Sequence, residues 1–188
     1  MKKNNSSLKR FNKLSSKSFL VILGFIAGYF AYEYYHVYPI PVASNKIEVC
    51  FTPGSPCENK IIQKIEEAQK EIHIQAFSFT SKPIFQALLR ARERGVSIKV
   101  LSDIKQSQNR YSRIQDLKNI GVPVYFDKQP SYAHSKVMII DDLYTITGSY
   151  NWTYSAQHRN SENVIFVESP EVSKKYTNNF YALLGKNG

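Results

Sequence analysis

Hydrophobic and polar positions divide the chain into a front with no amphipathic period and a body that alternates between two periods. Residues 18–32 (SFLVILGFIAGYFAY) form an uncharged run, apolar all round, which Glu33 closes. From residue 47 onward, runs of period two are interleaved with runs of period 3.6, the spacings of strands and helices. Ile47–Phe51 reads as a short strand. Asn59–Lys70 places Ile61, Ile62, Ile65 and Ala68 on one helical face. Ile72–Phe77 alternates as a strand should. Ser81 caps the next helix, with Pro83 in its first turn, Ile84, Leu88 and Leu89 on its apolar face and Gly95 past its end. Val96–Leu101 is an apolar strand, and Gln106–Ile120 is a helix with Ile114, Leu117 and Ile120 on one side. Strands follow at Val122–Phe126, Val137–Ile140, Tyr144–Thr147 and Val164–Val167. Pro170–Leu184 closes the chain as an amphipathic helix through Val172, Tyr176, Phe180 and Leu183. The alternation predicts an α/β fold, a central mixed sheet flanked by helices on both faces and preceded by an N-terminal apolar helix.

The front reads as an address. Residues 1–17 carry Lys2, Lys3, Lys9, Arg10, Lys13 and Lys17 and no acid. A basic flank followed by an apolar run is the layout of a secretory signal or a signal anchor. Fifteen helical residues rise only about 22 Å, short of a hydrocarbon core of roughly 30 Å. A snorkelling Lys17, with Tyr29, Tyr32, Tyr34 and Tyr35 at the far interface, extends that reach. No small-x-small cleavage site follows closely, which favours an uncleaved anchor over a cleaved signal. Residues 33–46 hold Pro39 and Pro41 and read as a stalk, leaving 47–188 as the folded domain. With the basic flank kept inside, that domain is exported. Export also bears on the two cysteines. Cys50 and Cys57 bracket FTPGSP, a turn-rich loop that one disulfide would close; the alternative is a pair of free buried thiols.

Charge sharpens the picture. The 188 residues hold 25 Lys and Arg against 15 Asp and Glu, a net +10, of which +6 lies in residues 1–17 and +4 in residues 47–188. The body is mildly basic, as suits a polyanionic partner. With 43% hydrophobic residues it can bury a real core, which excludes wholesale disorder. Two cysteines exclude a four-cysteine zinc site, and neither HExxH, CxxC nor clustered acids occur, so neither a metal nor another cofactor is expected.

The chemistry-bearing residues fall between 134 and 162. His134-Ser-Lys136-Val-Met-Ile-Ile-Asp141 has the form HxKx4D, and Gly148-Ser149-Tyr150-Asn151 follows six residues later. On a strand, His134 and Lys136 project from one face. Gly148 lets the backbone turn so that Ser149 and Asn151 point into the same space. The set comprises a nucleophile, a cation, a hydroxyl and an amide, converging where a phosphodiester would lie. Asp141, seven residues from His134, lies on the opposite strand face and suits a structural salt bridge.

The full pattern HxKx4Dx6GSxN resembles the phospholipase D superfamily, and within it the small bacterial nucleases with one such motif per chain, the Nuc/NucT type. The resemblance runs from Cys50 to Leu184 and includes CFTPGSPC, QAFSFTS and RNSEN. It implies a phospholipase D-like α/β sandwich, with His134 attacking phosphorus to give a phosphohistidine that water resolves. Lys136, Ser149 and Asn151 would hold the non-bridging oxygens. Asp141 belongs to the motif, and Glu162 matches the acid that orients the histidine ring. None of the other histidines, His36, His73 and His158, has Lys two positions on. The second imidazole that the reaction needs as acid would therefore come from a homodimer with a shared active site. His73 reads as structural or exposed, and His158 as a surface residue. Tyr150 and Trp152 are open to base stacking or to core packing. Lys105, Arg110, Tyr111 and Arg113 are candidate nucleic-acid contacts. The leading expectation is a bacterial envelope endonuclease on DNA, with RNA also open, needing no metal and anchored through residues 18–32 on the exported, periplasmic side, or secreted if cleaved. The alternatives are a phospholipid hydrolase or phosphatidyltransferase, and a non-enzymatic DNA-binding protein, which the filled motif argues against.

Overall fold

The computed structural model describes residues 16–37, 46–127 and 131–185. The basic segment up to residue 15 and most of the expected stalk, 38–45, lie outside the described residues. The chain divides into two compact units, residues 1–43 and 44–188. In the first, α1 (Ser16–Val37) runs beyond the apolar stretch because Pro39 is the first helix breaker after it. The start of the expected stalk is therefore helical. Leu20, Val21, Phe25, Ile26 and Phe30 of α1 are exposed. Among the described residues no helix is long and apolar enough to cross a membrane.

The second unit alternates strand and helix as the periodicity predicts. Its elements are β1 (Lys46–Thr52), α2 (Cys57–Glu67), β2 (Glu71–Ala76), α3 (Lys82–Glu93) and β3 (Ser97–Asp103), then α4 (Ile104–Ser107), α5 (Ile114–Asn119) and β4 (Val124–Asp127). β5 (Lys136–Ile140), β6 (Tyr144–Gly148), α6 (Tyr154–His158), β7 (Glu162–Glu168) and α7 (Pro170–Gly185) complete it. Seven strands form one sheet in the order β1-β7-β6-β5-β2-β3-β4. β2, β3 and β4 pair in parallel through helical crossovers, and the remaining pairs are antiparallel. On one face Ile61 and Ile65 of α2 and Ile84 and Leu88 of α3 meet Ile72, Ile74, Met138 and Ile146. On the other, Phe180 of α7 packs with Leu101, Val137 and Ile139. The central strand β5 is covered from both sides, and all five of its residues are buried.

One predicted element splits. The helix expected over Gln106–Ile120 is instead α4 and α5, separated by a turn. Asn109 Oδ1 accepts the Tyr111 N–H at 3.0 Å and Ser112 Oγ accepts the Ile114 N–H at 3.3 Å. These short polar side chains offer the backbone local partners that compete with helical ones. The Cys50–Cys57 disulfide is formed, with Cα atoms 5.7 Å apart, and ties the end of β1 to the first residue of α2. Tyr150 and Trp152 are both core residues, each 1% exposed, and the Trp152 indole donates to the Gln75 carbonyl at 3.3 Å. His73 is structural: it is buried and stacked on Phe180 with centroids 4.9 Å apart. Burial pushes its pKa down against the opposing charge of Glu71.

Asp141 holds the fold together at the end of β5 remote from the residues of the motif. Its carboxylate accepts the backbone N–H groups of Gln69, Lys70 and Glu71 at 2.8, 2.8 and 2.9 Å, pinning the turn that leads from α2 into β2. Its own N–H donates to the Glu71 carbonyl at 2.9 Å. The role is structural and is carried by three amides rather than by the expected salt bridge; neither His134 nor Asp141 lies on β5, so the length of that strand, not its parity, separates them. Asp141→Asn puts an amide NH2 against one of those donors. Folding stability should fall by about 1–3 kcal/mol with turnover retained, as paired urea titrations and rate assays would show. Loss of turnover at unchanged stability would contradict this assignment.

Candidate active site

The cleft is assembled where three strand ends meet. β5 begins at Lys136, so His134 lies in the preceding loop rather than on the strand. Phe77 N–H donates to the Ser135 carbonyl at 3.1 Å, which extends the β2–β5 pairing and steadies this loop. The two side chains still meet. Lys136 Nζ lies 3.0 Å from His134 Nδ1 and donates to the His134 carbonyl at 2.5 Å. The lysine is only 6% exposed while His134 is open to solvent. Burial pushes the Lys136 pKa down, and the negative charge of Glu162 partly restores it. The Phe77 ring supports both groups, with the ammonium 4.7 Å from its centroid and the imidazole 4.4 Å away. Phe77 lay inside the QAFSFTS segment and was expected as the last residue of a strand; β2 ends one residue earlier, at Ala76, and nothing in that reading marked Phe77 as facing the histidine.

The opposite wall comes from the turn after β6. Gly148 has φ +145°, and a Cβ there would sit 2.2 Å from the Asn163 carbonyl oxygen, so no larger residue fits. That close approach sets Ser149 over the start of β7. Ser149 Oγ donates to Glu162 Oε2 and accepts the Asn163 N–H at 3.1 Å. Glu162 Oε1 accepts from the Asn160 amide at 2.9 Å. Glu162 is expected to orient the His134 ring; among the described residues no hydrogen bond joins the two. The Glu162 oxygens are taken by Ser149 and Asn160, and His134 Nδ1 lies against Lys136 instead. Asn151 is half-buried, and its Oδ1 is buried with no partner among the described residues. Asp141 is not part of the site.

A cleft of about 490 Å³ opens between these walls, lined by His134, Lys136, Thr147, Gly148, Ser149 and Tyr176. Asp103, another residue that sequence reasoning passed over, fixes its entrance: it is 2% exposed, and its Oδ2 accepts the Ala133 N–H at 3.0 Å. Only its place between an apolar strand and a short polar segment hinted at a cap. Lys105 is exposed on α4 and Arg110 and Tyr111 on the α4–α5 turn, whereas Arg113 pairs with Asp116 at 2.8 Å. His158 is exposed on α6, as expected. Among the described residues no three His, Cys, Asp or Glu side chains converge on a point that would hold a metal ion.

An accessible imidazole against a buried ammonium, facing a hydroxyl–carboxylate pair across an open cleft, suits an enzyme acting on an anionic ester. The chain belongs to the phospholipase D superfamily of phosphodiesterases: the family described as "Cardiolipin synthase, PLD-like domain" matches residues 61–184. It is 36% identical over 151 residues to a protein of Rickettsia typhi named phospholipase D, covering 80% of this chain and 74% of that one. A protein of the same name from Rickettsia bellii is 33% identical over 201 residues, 96% of this chain and all of the relative. The fold matches the crystal structure of a phospholipase D family member, Nuc from Salmonella typhimurium, with a TM-score of 0.72 and 28% identity over 77% of this chain and 97% of that one.

Because burial disfavours the charged form of Lys136, an apolar side chain of similar length removes a cost to folding. Lys136→Met should leave the melting temperature unchanged or higher while phosphodiester hydrolysis falls at least about a hundredfold. A protein that melts several degrees lower and still turns over would reject this role for the ammonium.

Proposed function

We propose that this chain is an exported, membrane-tethered endonuclease that cleaves DNA with little sequence preference, and RNA by the same chemistry, without a metal ion. The observation that carries the reading is the contact between solvent-open His134 and buried Lys136 at the mouth of the cleft. Nε2 is the ring nitrogen with no protein partner among the described residues, and with the ring hydrogen on Nδ1 it holds a free lone pair, while Lys136 donates to the His134 carbonyl. Nε2 attacks phosphorus, the bond to the leaving oxygen breaks as that oxygen takes a proton from a second imidazole, and water later hydrolyses the phosphohistidine. Lys136, Ser149 and Asn151 stabilise the charge on the non-bridging oxygens, a task that other nucleases give to metal ions. Glu162 acts through Ser149 and through its field on Lys136. The exposed apolar side chains of α1 and the basic flank before it support the anchor.

One chain supplies one imidazole of this kind, and the reaction asks for a nucleophile and an acid on opposite sides of phosphorus. A two-fold dimer supplies both. Support comes from Ile47, Val49 and Phe51, an apolar row 46–62% exposed on edge strand β1, whose last member pairs in register with Asn163 beside Ser149. A second reading, hydrolysis of phospholipid, is favoured by the names of the Rickettsia relatives.

Incubation of the protein with DNA, RNA and anionic phospholipid vesicles, all in chelator, separates the readings. The nuclease reading expects cleaved nucleic acid and intact lipid; lipid hydrolysis alone would replace it with the second reading. Activity that appears only when magnesium is added would exclude the metal-free mechanism. Equal amounts of wild-type and His134→Ala chains, unfolded and reassembled together, should retain about a quarter of wild-type activity if the site is shared, because random pairing leaves about a quarter of dimers with both histidines. Retention near one half would mean independent sites.

A further inference from the structure

The loop before His134 carries an aromatic ring that the mechanism above does not use. Tyr132 is 51% exposed and stands edge-on to Phe77, with ring centroids 5.8 Å apart. Phe77 is the same ring that leans against the His134 imidazole. The Lys105 ammonium is 5.1 Å from the centre of the Tyr132 ring. Both partners are fixed by one buried carboxylate. Asp103 Oδ1 accepts the Gln106 N–H at 2.8 Å and so caps the short helix that bears Lys105, while Oδ2 holds Ala133, the residue between Tyr132 and His134. A half-open ring and a cation are therefore preorganised one aromatic neighbour away from the nucleophile. In the turn after that helix, Tyr111 is 61% exposed with the Arg110 guanidinium 4.5 Å from its ring.

We propose that Tyr132 and Lys105 form a stacking subsite for an unpaired base beside the scissile phosphate, so that the cleft selects single-stranded nucleic acid. The inference rests on the nuclease reading and names the form of substrate that reading takes. An exposed ring accompanied by a cation matches a base with its phosphate, and stacking is tolerant of sequence because every base has a π-face. In a duplex both faces of a base are already covered, so this ring can be used only by a strand that is open or is opened locally. A choline-type head group would also seek an aromatic face, but the ammonium already over this ring repels it.

The test compares the full-length wild type, Tyr132→Ala, Tyr132→Phe and Lys105→Glu on three substrates in chelator. These are a short single-stranded oligonucleotide, its duplex, and bis(p-nitrophenyl) phosphate, which is too small to occupy the cleft and the subsite together. The wild type should cut the single strand faster than the duplex. Tyr132→Ala should raise KM on the single strand about tenfold with little change in kcat, lowering the ratio of its kcat/KM to that on the small diester by the same factor. Tyr132→Phe keeps the ring and should restore the ratio. Lys105→Glu alters an exposed side chain, so folding is not at stake, and should raise KM on the single strand as well. A ratio unchanged in both Tyr132→Ala and Lys105→Glu, in a protein that does cut DNA, would overturn the subsite alone. Equal rates on single strand and duplex would also overturn it. A wild type that hydrolyses the small diester but no nucleic acid would overturn the subsite together with the nuclease reading on which it rests.

Discussion

One positive charge, held almost out of water at the end of the central strand, is the constraint on which the rest of the site depends. Lys136 begins a strand whose other four residues are Val, Met, Ile and Ile, all buried. An ammonium in such a place is tolerable only if its donors are met and an opposite charge is near. The His134 carbonyl meets the first need, the Phe77 ring adds its electron-rich face, and Glu162 supplies the opposite charge. Each of these partners then has a fixed place. The histidine curls back over the lysine instead of continuing the strand, and the start of β7 must come close enough for its carboxylate to act. That approach is why the turn at residue 148 has room for glycine alone.

Two other carboxylates show how the frame around that charge is held. Asp141 accepts three consecutive amides at one end of β5, and Asp103 accepts two amides from separate segments near the other end. Neither takes a cation as its hydrogen-bond partner in these contacts. Each converts a carboxylate into a clamp for backbone that would otherwise need water, and charge-assisted bonds of this kind are stronger than neutral ones. Asp103 has the further consequence that the loop carrying His134 and the helix carrying Lys105 are tied to the same side chain. The position of the catalytic loop and the electrostatics of the cleft entrance are thus set by a single side chain that touches neither the reacting group nor solvent.

The sheet order explains why one chain presents an open cleft rather than a closed one. β5 and β2 lie mid-sheet under α7, whereas β7 and β1 extend past it, leaving the row Ile47, Val49 and Phe51 uncovered. Apolar rows at a sheet edge are a liability unless something covers them. In the proposed dimer the uncovered row and the half-built cleft meet the same requirement at once, since the row leads through Asn163 to Ser149.

Much was legible from the sequence alone. The two hydrophobic periods predicted the alternation of strands and helices, because burial on one face is a local demand that repeats along the chain. Four of the motif residues, His134, Lys136, Gly148 and Ser149, line the cleft, whereas Asp141 stands beyond the other end of β5. What remained hidden depended on partners distant in sequence. The split of one predicted helix into α4 and α5 came from Asn109 and Ser112 finding local hydrogen bonds that outweighed helical periodicity. Whether Tyr150 and Trp152 faced bases or core, and whether Glu162 met His134 or Ser149, were decided by which strands became neighbours. Phe77 carried no signal, and Asp103 no more than the hint of a cap, because their roles exist only once β2, β3 and the loop before β5 lie side by side. Periodicity and motif spacing are written along the chain; the partners of a buried charge are chosen across the sheet, where residues far apart in sequence share one small, poorly hydrated volume.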